Sequence, residues 1–480
     1  MKSENAQERI ISIFREISKH PRPSGHEEKI LEWLKGFAEK QGWDCRQDNT
    51  GNILMKINKE GASKTVCLQT HCDMVCEKTP DTEHDFFNDP IEVIEEGGWL
   101  RANGTTLGAD DGLGMAISLF AGLAELENKP NLELLITVDE ERGMTGAQGL
   151  DDNILSAEYL INLDSDESDF IIGCAGGERT EITSAHELKD IPEGHQAAKV
   201  TIGGLKGGHS GVDIHLGRAN AVVLAGELLE ACSGGIASRL VSLSGGSASN
   251  AIARDAEFVV TAEDIDTLEC VVETERDRIK HNFQSSDPDI EIKVQETELH
   301  GKCITSQQTG IIAKLLTSVP NGPVSYRTDM PKVVESSCNV AVCSLDEGCF
   351  SLTLSQRSSN TKRLDMLNAS IENTCSRLGF ECSFKARYPG WEPSGSTDLL
   401  SRAEEAFQKV SGRPPEMEII HAGLECGIIS RKYPGMKIIS MGPELKGIHS
   451  PEEKARISSA GECFGVLEGI LQNIESPAGL

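Results

Sequence analysis

The sequence predicts an α/β fold: a domain with a mixed, largely parallel sheet flanked by helices, split in sequence by an inserted α+β lid domain. Up to about Thr180, short apolar runs alternate with stretches of helical periodicity, the pattern of strands joined by crossover helices. From there to about Phe384, strands and helices follow in an order that suits antiparallel sheets. After Pro389 the α/β pattern resumes. The length agrees, because 480 residues exceed what one hydrophobic core organises. The expected divisions are 1–182 and 388–480 for the split domain and 183–387 for the insert.

Taken in order, Ser24-Gly25-His26-Glu27 reads as a capping box, with Ser24 as cap and Glu27 reaching back. The helix it would start carries Ile30, Leu31, Trp33, Leu34 and Phe37 and stops at Gly42. A strand ends near His71. Residues 132–138 are nearly all apolar, as a strand buried on both faces requires. A helix over 112–126 lies between these two strands, and 159–163 is a third. In the insert, a strand at 198–202 leads into a Gly-rich loop over 203–211 and a helix over 219–231. Strands near 237–243 and 257–261 precede a helix over 267–281. A helix after Ser306, strands at 333–342 and 350–355, a helix over 361–378 and a strand from Phe380 complete it. Pro389, Pro393 and Gly395 mark a linker, and strands follow at 418–421 and 436–441.

Composition removes whole classes of function. The net charge of −30 opposes a nucleic-acid binder, whose partner is met by Lys and Arg, and opposes an anionic membrane surface. No apolar run approaches the roughly 18 residues of a membrane span. The N-terminus has no apolar stretch after its first charges, so no signal peptide is expected. Fifteen scattered cysteines fall well short of the roughly 8% of a disulfide scaffold, and free thiols in a reducing cytoplasm are the expected state. The loop 203–211 lacks the Gly-Lys-Ser/Thr ending that cradles a phosphate.

Chemistry concentrates at strand ends, where open α/β sheets bind ligands. His71-Cys72-Asp73 ends the first strand, and His71 and Asp73 project to one face. A carboxylate beside an imidazole fixes the tautomer that a metal-bound histidine needs. Asp110-Asp111 sits in a Gly-rich turn at a helix start. Asp139-Glu140-Glu141 and Asp164 end two further strands, and His449 follows the last. Any one acidic pair at a strand end is ordinarily a solvated loop, but their joint occurrence at successive strand ends points to one site. Carboxylates gathered there would repel, and one or two divalent cations remove the difficulty. Two histidines among carboxylates suit zinc, manganese or cobalt better than calcium. Of two adjacent glutamates, one could ligate and the other could take a proton.

The stretches His71-Cys72-Asp73-Met74-Val75, Leu107-Gly108-Ala109-Asp110-Asp111-Gly112, Thr137-Val138-Asp139-Glu140-Glu141, Asn162-Leu163-Asp164 and Ile448-His449-Ser450-Pro451 resemble the M20 family of zinc metallopeptidases. Gly207-Gly208-His209-Ser210-Gly211 and His421-Ala422-Gly423-Leu424-Glu425-Cys426-Gly427 resemble its Xaa-His dipeptidase branch. Ser249-Asn250-Ala251-Ile252 and Gln356-Arg357-Ser358-Ser359 add to the match, which runs in order over nearly the whole chain. A proline usual after the Asn-x-Ile pattern is Ala253 here, which touches only local loop geometry.

The resemblance implies two Zn2+ ions, with Co2+ or Mn2+ as possible substitutes. Asp110 would bridge them, His71 and Asp164 would complete one site, and Glu141 and His449 the other. Asp73 would orient His71, and Glu140 would be the general base. His209 would help stabilise the oxyanion, with Asn250 and Arg357 as substrate-binding positions. Arg357 suits a dipeptide's terminal carboxylate, and Glu425 would hold the free amino end. The implied activity is hydrolysis of unblocked dipeptides, Xaa-His preferred and β-Ala-His included, by a cytoplasmic enzyme that forms a homodimer through the lid. An amidohydrolase that removes N-acyl groups and a non-catalytic metal-binding protein fit the same ligand residues. A partner for a free amine would favour the dipeptidase.

Overall fold

In the computed structural model, residues 3–166, 169–235, 237–298, 301–393, 395 and 397–475 are described. Met1 and Lys2, the start of the stretch read for a signal peptide, lie outside them. The chain divides into two units. The first comprises Met1–Cys174, Trp391–Ile419 and Leu424–Leu480, and the second Ala175–Gly390 and Ile420–Gly423. The expected boundary at 182/183 falls inside the strand Gly176–Ala185, which pairs with Cys349–Ser358 and so belongs to the second unit. Where the chain leaves and re-enters the first unit, Cys174 and Trp391 exchange backbone hydrogen bonds of 2.9 and 3.0 Å.

The first unit is built on an eight-stranded sheet. Its order is Asp44–Gln47, Ile53–Ile57, Asn131–Thr137, Thr65–His71, Tyr159–Asn162, Lys437–Ser440, Phe170–Cys174 and Met417–Ile420. The four central strands pair in parallel, and antiparallel pairs flank them. His71 stands opposite Thr137 and Gln69 opposite Asn162, so the carboxyl ends of the central strands line up. The helix Ala109–Leu123 is apolar on all sides and accordingly buried. It packs against Ser3–Ile17 and Ile457–Ile474, and the Phe120 and Phe464 rings meet at 4.7 Å. Asp110 and Asp111 lack helical dihedrals, so regular helix begins at Gly112.

The expected capping box is not formed. The helix Glu28–Gln41 begins after Glu27, with no side-chain cap. Glu27 Oε1 instead accepts from the amides of Gly25 (2.7 Å) and Asp139 (3.1 Å), and Ser24 hydrogen-bonds to Asp73. A nearby strand-end loop outcompetes the local cap for both side chains.

The second unit is a nine-stranded antiparallel sheet. Its path is Glu291–Thr297, Gln196–Gly203, Ala256–Ala262, Arg239–Gly245, Val334–Asp346, Cys349–Ser358, Gly176–Ala185 and Glu381–Tyr388, with Gly322–Tyr326 also paired to Val334–Asp346. Helices Ala221–Gly235, Ile265–Asn282, Ser306–Ser318 and Thr361–Leu378 supply its core with residues such as Leu228, Leu268, Leu316 and Ile371. Thr305 and Gln308 form a full capping box, and Asn360 caps Arg363 N–H at 3.1 Å. Among the described residues, no helix is long and apolar enough to cross a membrane.

Candidate active site

The aligned strand ends of the first unit gather the acidic and histidine residues the sequence singles out. His71 Nε2 lies 3.1 Å from Asp110 Oδ1 and 3.7 Å from Asp164 Oδ1. His449 Nε2 lies 3.2 Å from Asp110 Oδ2 and 3.0 Å from Glu141 Oε2. Asp110 therefore turns one oxygen to each histidine. The donor atoms of His71, Asp110 and Asp164 fall within 4.8 Å of one another, as do those of Asp110, Glu141 and His449. A third such group, His71, Glu140 and Glu141, sets Glu140 beside both. His449 has a left-handed backbone, φ 61°, and Asp139 likewise, φ 52°; strain of this kind concentrates at functional sites.

Asp73 organises the strand end. Its Oδ1 accepts from the Glu140 amide at 2.9 Å and its Oδ2 from the Glu141 amide at 3.2 Å. His71 Nδ1 lies 3.3 Å from Asp73 Oδ1, close enough for an ion pair although off the line of a good hydrogen bond. Burial would raise the Asp73 carboxyl, but His71, the Glu140 amide and Ser24 hold it well below the usual range. Glu27, Asp73 and Asp139 also approach one another, but the amides of Gly25, Asp139, Glu140 and Glu141 already occupy oxygens of Glu27 and Asp73.

The electrostatics match a cation site. Burial, with Asp110 and Glu425 nearby, pushes Asp164 up to about 8 against the pull of His71. Burial also raises Glu140, with Asp164, Glu425 and Glu141 adding to it. Burial would lower His71, but Asp164, Asp110 and Asp73 overcome it and hold the imidazole well above its ordinary value. The carboxylates raise His449 to about 11. Glu141 Oε1 is buried without a hydrogen-bond partner among the described residues. So many carboxylates cannot all ionise in a shared, partly buried space, and divalent cations would supply the missing positive charge. Five residues of nitrogen and oxygen donors, split into two groups that share one carboxylate, fit two such ions.

Glu425 opens the helix Glu425–Lys432. It is 1% exposed, and its Oε2 accepts from Gln69 Nε2 and Thr137 Oγ1, both at 2.6 Å. Gln69 Oε1 accepts from Asn162 (2.7 Å), and Asn162 Oδ1 from Ser440 (2.5 Å). This polar chain crosses the four central strands beneath the site. Glu425 joins it through Oε2, and its Oε1 is buried without a hydrogen-bond partner among the described residues.

His209, Asn250 and Arg357 belong to the second unit. His209 Nδ1 accepts from the amides of Gly211 (3.3 Å) and Val212 (3.1 Å), which puts the ring proton on Nε2. The Asn250 carbonyl accepts from Ser210 at 2.8 Å, tying the two loops. Arg357 is buried, donates to Tyr388 Oη at 3.1 Å, and keeps Nε without a partner among the described residues. His421, in the same unit, hydrogen-bonds to Ser337 Oγ at 2.7 Å and feels Arg357 and His209. Sequence reasoning quoted His421 in a motif without assigning it a part.

The pattern of the peptidase family M20/M25/M40 matches residues 67–473, and the chain belongs to that family. The cytosol non-specific dipeptidase of Escherichia coli (strain K12) is 35% identical over 470 residues, 96% of each chain. The crystal structure of aminoacylhistidine dipeptidase from Vibrio alginolyticus superimposes with a TM-score of 0.87 at 34% identity, covering 98% of this chain and 97% of that one. A tripeptidase from Staphylococcus aureus, at 17% identity and TM-score 0.57 over 98% of this chain and 99% of that one, shares the fold alone.

Proposed function

We propose that this metallopeptidase is a dipeptidase that hydrolyses unblocked dipeptides, Xaa-His among them, with two zinc ions. The observation that carries the reading is Asp110 shared between two histidine–carboxylate groups, in a chain alike over its whole length to a dipeptidase and an aminoacylhistidine dipeptidase. His71, Asp110 and Asp164 would hold one ion, and Asp110, Glu141 and His449 the other. When bound, the pair supplies Lewis-acid activation of water and carbonyl.

The chain's own residues do the rest. Glu140, raised by its burial, accepts the proton of the attacking water and returns it to the departing amine. Asp73 keeps that glutamate and its neighbour in place through their amides and lies beside His71 Nδ1, where its charge orients the ring. Arg357, with its buried Nε–H, is suited to a C-terminal carboxylate. His209, with its proton on Nε2, is suited to donate to a developing oxyanion, and Asn250 to bind the peptide. No covalent intermediate is required.

We place the enzyme in a reducing cytoplasm, where fifteen free thiols would persist, and as a homodimer through the second unit. There Val212, Leu216, Val324 and Tyr326 are exposed, and Gly322–Tyr326 packs on the short helix Ile214–Leu216, which makes an apolar face.

The test is histidine release from leucyl-histidine and β-alanyl-histidine by zinc-loaded protein. Release that stops on chelation is expected. No release from either, with zinc bound at two per chain, would overturn the dipeptidase reading and leave the metal site standing.

A further inference from the structure

Glu453 follows His449 by four residues and stands outside every motif named above. Its carboxylate is 2% exposed and accepts four successive backbone N–H groups. Oε2 takes Leu107 at 2.7 Å and Gly108 at 2.9 Å, and Oε1 takes Ala109 at 2.7 Å and Asp110 at 3.3 Å. Successive amides turned to one centre form an anion nest. The left-handed Gly108, φ 67°, makes that turn.

Arg22 holds the same loop by its carbonyls. It is also 2% exposed. Its Nη2 donates to the Gly108 carbonyl, and its Nη1 to the carbonyls of Cys72 (3.0 Å) and Asp73 (2.9 Å). A Cβ on Gly108 would lie 2.6 Å from Arg22 Nη2 and 2.8 Å from Met74 Sδ; one on Gly112 would lie 2.5 Å from the same Nη2. The two glycines that flank Ala109-Asp110-Asp111 are thus the space the guanidinium occupies. One carboxylate and one guanidinium join three segments: that of Cys72 and Asp73 beside His71, that of Asp110, and that which runs from His449 to Glu453.

We propose that Glu453 and Arg22 are positioning residues that set the aim of Asp110, so that one of its oxygens faces each histidine. The proposal rests on the reading of Asp110 as the shared metal ligand. Glutamine at 453 would keep the shape but turn an NH2 group toward two of the four amides, donor against donor. The clamp would hold half the loop, and Asp110 would lose its fixed orientation.

The test is titration of metal-free Glu453→Gln, Glu453→Asp and Arg22→Lys with zinc against a chromophoric chelator, beside the absorption spectrum of the cobalt-loaded forms. Expected for Glu453→Gln is a 10–100-fold loss of zinc affinity, the usual effect of removing support behind a ligand, with altered cobalt bands. Glu453→Asp, which keeps the charge, recovers part of both. Arg22→Lys keeps charge and loses the fork, and carries the same expectation should Glu453→Gln fail to fold. Folded variants with wild-type affinity and spectrum would overturn the clamp alone. A wild-type protein that binds no divalent cation would overturn the site reading, and the clamp with it.

Discussion

His421 offers a prediction whose size follows from the structure. The ring is partly buried in the second unit and hydrogen-bonded to Ser337 Oγ at 2.7 Å. Burial first, and the Arg357 charge second, push its imidazole down to about 3. In the unfolded chain the same group titrates near about 6.5. Below that pH the unfolded state binds the proton and the folded state does not. His421 therefore favours folding fully above pH 6.5, and the contribution is lost progressively as pH falls toward 3. At pH 5 the folded form still carries no proton, so the loss relative to pH 7.5 is about 2 kcal/mol, at 1.36 kcal/mol per unit. Urea unfolding of wild type and His421→Gln at the two pH values measures it. Glutamine can hold the Ser337 contact and does not titrate. Metal lost at acid pH affects both proteins, so their difference isolates the histidine. Wild type should lose about 2 kcal/mol more than the variant. Equal losses, within about 0.5 kcal/mol, would refute the claim that the ring is held neutral. A neutral His421 leaves Arg357 as the fixed charge of its cluster, which suits an anionic ligand.

Three further outcomes are expected. Glu140→Gln should lower kcat by about 10²–10⁴-fold with zinc stoichiometry unchanged by metal analysis; activity within tenfold of wild type would remove Glu140 as the base. Arg357→Lys should raise KM for free dipeptides by about 10–100-fold, the loss of about 1.5–3 kcal/mol from a charged hydrogen-bonded pair. C-terminally amidated dipeptides should not distinguish the two proteins, and if they do, the carboxylate assignment fails. Val324→Glu puts a charge on the exposed apolar face of the second unit, and sedimentation velocity should show a dimeric wild type and a monomeric variant. A dimeric variant would move the interface elsewhere.

Much of the candidate site was readable because several of its residues end or follow apolar runs. His71 ends, and Glu140, Glu141 and Asp164 follow, strands whose burial on both faces leaves a largely apolar run. The expected helix start at Gly112 agrees with the structure, where the two aspartates before it lack helical dihedrals. What escaped depends on contacts far apart in sequence. Ser24 and Glu27 satisfy a local capping pattern, yet partners about 50 and 112 residues away take them. Glu425 reads from the sequence only as a holder of the free amino end, and its hydrogen bonds from Gln69 and Thr137, far apart in sequence, appear only in the structure. Glu453 and Arg22 bind backbone groups, which leave no trace in the identity of the residues they hold. The two glycines beside Asp110 were the one available signal, because a missing Cβ marks a close approach.

The supports of this site share a physical logic. Asp73, Glu27 and Glu453 are each satisfied in part by backbone amides rather than by lysine or arginine. A cationic side chain beside the ligand carboxylates would compete with divalent ions for the same oxygens and raise the free energy of bringing those ions in. An amide N–H stabilises a carboxylate without adding a formal charge, so it fixes a loop and leaves the field at the ligands negative. The exception supports the rule. Arg22 lies buried among these loops, but it donates to the carbonyl oxygens of Cys72, Asp73 and Gly108 rather than to Asp110, Asp164 or Glu141. Under the proposal it would supply rigidity through the backbone, while the carboxylates that face the histidines would keep their charge for the ions.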